Sequence, residues 1–105
     1  MKEQKVNIHS REFWFKIVEI LQQNWALIKP EHESVTVFFI NDASGVFDRM
    51  LFSSQKKAEE ALRRNGFKKY AMDVESQKFI KPPQPPFFES DHPNGPIYSS
   101  GRFWK

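Results

Sequence analysis

Cysteine is absent from this chain, so no disulfide can staple it, and that absence fits a reducing compartment. Long apolar runs are missing as well. No stretch approaches the roughly 20 apolar residues that a membrane-crossing helix needs. The first residues, MKEQKVNIHS, are charged and lack the apolar segment of a secretory signal, so a cytoplasmic location without a membrane partner is expected. No Walker loop, GxGxxG, HExxH, CxxC or GxSxG pattern occurs, which leaves no motif-borne cofactor, metal centre or nucleophile. The reading is therefore of a non-enzyme, with no catalytic residue, metal ligand or cofactor assigned.

The three histidines, His9, His32 and His92, fall in three separate loops or arms. Glu31-His32-Glu33 resembles a ligand cluster in composition only, because neighbours on an extended segment point to opposite faces and do not converge on one ion. Glu89, Ser90, Asp91 and His92 contain the residue types of a catalytic group. Sequence neighbours seldom reach nucleophile–base geometry, however, and a polar loop accounts for them.

Aromatic residues are plentiful: 11 Phe, 3 Trp and 2 Tyr in 105 residues. A chain of this length forms one domain with a thin stability margin, and each ring can bury roughly 150–250 Å² to support it. The expected organisation is a polar arm over 1–9, one core domain over 10–80, and a Pro- and aromatic-rich tail over 81–105 docked on that core.

Within the core, Ser10 reads as an N-cap with Glu12 in the first turn. Phe13, Trp14, Ile17, Val18, Ile20, Leu21, Trp25 and Ile28 recur at three- and four-residue spacing, which predicts an amphipathic helix ending near Leu27 or Ile28, before Pro30. Two residues break the pattern. On a helix Phe15 would project to the polar side, marking it as a contact residue, and Asn24 would point into the apolar arc as a hydrogen-bonded amide. Val35–Ile40 is apolar on both faces and reads as a central strand. Asn41–Gly45 forms a hairpin loop, with Gly45 placed to take positive φ, and Val46–Phe52 returns antiparallel. Ser54 caps a second helix with an Ala58, Ala61, Leu62 stripe, ended by Asn65-Gly66 with Leu62 and Phe67 as its hydrophobic pair. Phe67–Val74 reads as a third strand, and the strand-helix-strand order suggests that it pairs parallel with the second through a right-handed crossover, although a helix can also return to an antiparallel neighbour.

The fold class expected is α+β in the order helix-strand-strand-helix-strand. It comprises a small mixed or antiparallel sheet with both helices on one face and the extended tail covering the other. The tail's apolar pairs, Phe79-Ile80, Phe87-Phe88, Ile97-Tyr98 and Phe103-Trp104, are too aromatic for a free linker. Lys81–Pro86 reads as a rigid spacer with two overlapping PxxP spacings.

Charge is unevenly placed. Residues 49–81 hold nine basic residues against four acids, whereas the flanking segments are acidic or balanced. Lys56, Lys57, Arg63, Arg64, Lys68, Lys69 and Lys78 form a candidate surface for nucleic acid or an acidic partner. Phe15, Tyr98, Phe103 and Trp104 are candidate protein contacts. A small interaction protein that binds a protein partner or itself is the leading expectation. A nucleic-acid-binding or regulatory protein is the alternative.

Overall fold

In a computed structural model, residues 5–19 and 22–89 are described. They form one seven-stranded mixed sheet: β1 (Lys5–Val6), β2 (Trp14–Glu19), β3 (Gln22–Pro30), β4 (Val35–Ile40), β5 (Gly45–Phe52), β6 (Lys68–Lys69) and β7 (Phe87–Glu89). Two helices accompany it, α1 (Gln55–Arg64) and the four-residue α2 (Val74–Gln77), with a 3-10 turn at Tyr70–Met72 before α2. The spatial order is β1-β7-β5-β4-β3-β2-β6. Every pairing is antiparallel except β5 with β7.

This overturns the expected helix-strand-strand-helix-strand layout with its small sheet. The segment read as the first helix is instead the β2–β3 hairpin, pairing Trp14 with Ala26, Phe15 with Trp25 and Lys16 with Asn24. The physical reason is burial on both sides. A strand covered on both faces shows no alternation, and its near-continuous apolar run then also satisfies three- and four-residue spacing. The two residues that a helix could not place are the ones the hairpin absorbs. Phe15 is buried, with its ring against Trp25 and Tyr70 at centroid distances of 5.9 and 6.1 Å, so it is a core residue and not a surface contact. Asn24 is buried and hydrogen-bonded.

The two faces of the sheet carry separate cores. Trp14, Ala26, Ile28, Val37 and Phe39 lie beneath α1, which contributes Ala58 and Leu62. Phe15, Trp25, Leu27, Phe38, Ile40, Val46 and Phe87 form the opposite core, packed by Tyr70 and Ile80. The expectation of both helices on one face is thus corrected: α1 covers one side, and the segment holding the 3-10 turn and α2 belongs to the other. In the described residues, the tail supplies a short strand, β7, which lies within the sheet between β1 and β5, whereas the sequence reading gives the tail one or two short strands and places it over the sheet's second face. The rest of the tail, including Tyr98, Phe103 and Trp104, lies outside the described residues.

The β4–β5 hairpin forms as expected, but its loop differs in one detail. Ser44 takes the positive φ (68°). Gly45 instead opens β5 and pairs with Phe88. Asn41 organises the turn, its side-chain carbonyl accepting from the Ala43 and Gly45 amides at 2.9 and 2.8 Å, an arrangement open to Asn but not to an apolar residue. Ser44 ties the loop to the chain leading into β7: its hydroxyl donates to the Gln84 carbonyl (2.6 Å), and its carbonyl accepts from the Phe88 amide.

Helix α1 carries the ends its sequence signals. Ser54 accepts from the Lys57 amide, and Phe67 N–H and Gly66 N–H donate to the Leu62 and Arg63 carbonyls, the two bonds of a Schellman ending. Gly66 sits at φ 94°. A Gly66→Ala substitution is expected to cost about 1–2 kcal/mol, the strain of an L side chain in the left-handed region, because a Cβ there also meets Lys16 Cε at 3.3 Å. An unchanged urea midpoint would contradict this.

The parallel pairing expected between the second and third strands does not form: β5 and β6 run in the same direction, but β4, β3 and β2 lie between them. After α1 the chain crosses the sheet to β6, which pairs antiparallel with β2 at the far edge. Only Lys68 and Lys69 pair. Asp73, read as a strand residue, caps α2 by accepting from the Ser76 amide.

Candidate functional site

The basic residues of 49–81 do not all lie on one surface. Arg63 and Lys69 lie over the ring of buried Trp14, at 5.2 and 5.4 Å from its centroid. Both also meet Glu59, at 3.6 and 4.0 Å. The fold explains why they converge. Trp14 on β2 pairs with Lys69 on β6, and its ring rises towards α1, where Arg63 and Glu59 lie one turn apart. A cation over an indole face is held by the ring quadrupole, so this group clamps the end of α1 and β6 onto the sheet edge. Lys56, Lys57, Arg63 and Arg64 are exposed on α1, and Lys68 is exposed on the edge strand. Lys78 lies on the opposite-face segment and pairs with Glu75 at 3.7 Å. The rings that the sequence sets beside these cations are not available as stacking platforms: Phe67 is buried and Tyr70 is packed into the second core.

A different surface emerges on residues 70–80. Tyr70 fixes its start. Its amide donates to the Phe13 carbonyl (2.9 Å), and its ring packs edge-on against Trp25 and Phe15. Its hydroxyl donates to the Ile80 carbonyl (2.7 Å), and Gln77 Nε2 donates back to the Tyr70 carbonyl (2.9 Å). Ile80 returns to the core. Between these anchors the segment turns Met72, Val74 and Phe79 outwards, at 79%, 64% and 80% exposure. Isolated exposed apolar residues such as Ile17 and Leu51 are ordinary on protein surfaces. Three large ones on the single segment 70–80, held at both ends, are not.

Reading Phe67–Val74 as a strand hid this surface, because strand alternation places Tyr70, Met72 and Val74 on one shared face. The cap signature Asp73-Val74-Glu75-Ser76 was the available signal for a helical turn.

The histidines stay apart. His32 is exposed beside Glu33, His9 lies on the N-terminal arm, and His92 is outside the described residues. Among the described residues no group of three His, Asp or Glu side chains is placed to hold a metal ion, and no helix is long and apolar enough to cross a membrane. No family model, curated protein or solved structure matches this chain.

Proposed function

We propose that the protein is a small non-enzymatic interaction module that binds a protein partner or a second copy of itself through Met72, Val74 and Phe79. The observation that carries this reading is the exposure of those three side chains on a segment fixed at both ends by Tyr70 and Ile80. Apolar side chains on a pre-formed segment can bury against a partner with little further ordering, which keeps the entropic cost of association low. The Glu75–Lys78 pair lies within the same segment and supplies a polar margin of the kind that surrounds the apolar centre of an interface.

Sedimentation equilibrium measures self-association, and a photo-crosslinking residue in place of Val74 reports a partner in cells. Replacing Met72 and Phe79 by Ser should leave the melting temperature nearly unchanged, since both are exposed. It should weaken association at least about tenfold, as loss of large apolar anchors does. A wild-type monomer at high concentration that gives no specific cross-link from position 74 would contradict the reading.

A further inference from the structure

The N-terminal arm and the approach to β7 flank an open cleft of about 430 Å³, lined by Lys5, Val6, His9 and Arg11 on one side and by Pro85, Pro86 and Phe87 on the other. The two walls are held together by the β1–β7 ladder, in which Lys5 pairs with Phe88 and Val6 with Phe87. From this geometry we infer a binding site for a small phosphomonoester. Its phosphate meets Lys5, His9 and Arg11, and its organic part lies on the Val6, Pro85 and Pro86 wall.

Three observations point there. Among the described residues the lining holds two permanent cations and a histidine but no acid. Of the described acids flanking the arm and β7 in sequence, Glu89 is paired with Arg49 at 2.6 Å and Glu12 lines a separate cleft with Ser10 and Trp14. Arg11 is also pre-positioned. One of its amino groups donates to the Ile8 and Ser10 carbonyls, and its guanidinium lies 5.4 Å from the centroid of the buried Phe87 ring. Its Nε and second amino group make no hydrogen bond among the described residues. A guanidinium fixed by its own backbone and an aromatic face, with donors left over, suits a planar fork of contacts to phosphate oxygens.

The choice of phosphate over carboxylate follows from charge. A dianion balances Lys5 and Arg11 together, whereas a carboxylate leaves one of them uncompensated. The choice of an ester over inorganic phosphate follows from size and lining. The cleft falls in the range of small-molecule sites, where a few polar groups orient a ligand and apolar walls cover the rest.

The test is a titration of the full-length protein with phenyl phosphate, inorganic phosphate and phenol, followed by amide NMR shifts. Phenyl phosphate should give saturable shifts at residues 5–11 and at Phe87, inorganic phosphate weaker ones at the same amides, and phenol none. Lys5→Gln and Arg11→Gln should each weaken phenyl phosphate binding about tenfold or more, in keeping with the strength of charge-assisted contacts. Lys5→Gln carries the test if Arg11→Gln disturbs the arm, because the Lys5 ammonium has no partner among the described residues. The inference is overturned by any of three results: no saturable shift at about 10 mM, where even a weak site would fill; equal binding by Lys5→Gln; or shifts confined to Lys56, Lys57 and Arg64 on α1.

Discussion

Trp25→Ala is expected to remove about 3–5 kcal/mol of stability, the usual cost of truncating a buried large aromatic. Trp25 has no exposed surface and stands at the middle of the aromatic group formed by Phe13, Phe15 and Tyr70, with centroid separations of 5.7, 5.9 and 5.6 Å. Small domains have total stabilities of only about 5–15 kcal/mol, so this single change approaches the limit of folding. The loss also reaches the proposed interaction surface, because Tyr70 rests on Trp25 and anchors residues 70–80. Trp25→Phe separates packing from hydrogen bonding. It keeps an aromatic ring in place but loses the indole N–H donated to Asp42 at 2.8 Å, worth about 0.5–1.5 kcal/mol. Urea denaturation should therefore place Trp25→Phe between wild type and Trp25→Ala. Equal midpoints for wild type and Trp25→Ala would show that the residue is not in the core.

Leu62→Ala should cost about 2–5 kcal/mol and do so by releasing α1. Of the residues α1 buries, Ala58 and Ala61 are small, and Leu62 alone is large. A ten-residue helix has little stability by itself in water, so its docking depends on that side chain and on the Schellman contact with Phe67. Leu62→Met, which conserves volume, should cost less than about 1.5 kcal/mol. Hydrogen exchange locates the effect: in Leu62→Ala the α1 amides should exchange faster than those of β3 and β4. Uniform acceleration across the sheet would mean that α1 and the strands open only together.

What the sequence made legible is what local chemistry decides. Ser54, Asn65, Gly66 and the Leu62–Phe67 pair define α1 from within a short window, and the helix is where they put it. The strands Val35–Ile40 and Val46–Phe52 were readable because β-branched and aromatic residues flank an obvious turn. The β2–β3 hairpin was not, since its apolar residues serve both faces of a covered sheet and imitate a helical period. Phe15 and Asn24 recorded the conflict: a ring on the wet side and an amide in the apolar arc are what a wrong period leaves behind. Strands as short as β1, β6 and β7 have no pattern to detect, being defined by partners distant in sequence. The cations of 49–81 were visible as residues, but their coupling to Trp14 was not. It depends on β2 lying beneath α1, which a helical reading of Trp14 precludes. Met72, Val74 and Phe79 were visible as apolar residues whose exposure only the fold of 70–80 reveals.

The surface on 70–80 rests on Phe15 and Trp25, and therefore on the antiparallel pairing of Trp14–Glu19 with Gln22–Pro30. Backbone NMR of these two strands tests that most directly. The account predicts downfield Hα and upfield Cα shifts over Trp14–Ile17 and Gln23–Lys29, with cross-strand contacts between Phe15 and Trp25 and between Lys16 and Asn24. Helical Cα shifts over the segment, with sequential i to i+3 contacts and no contact between Lys16 and Asn24, would contradict it.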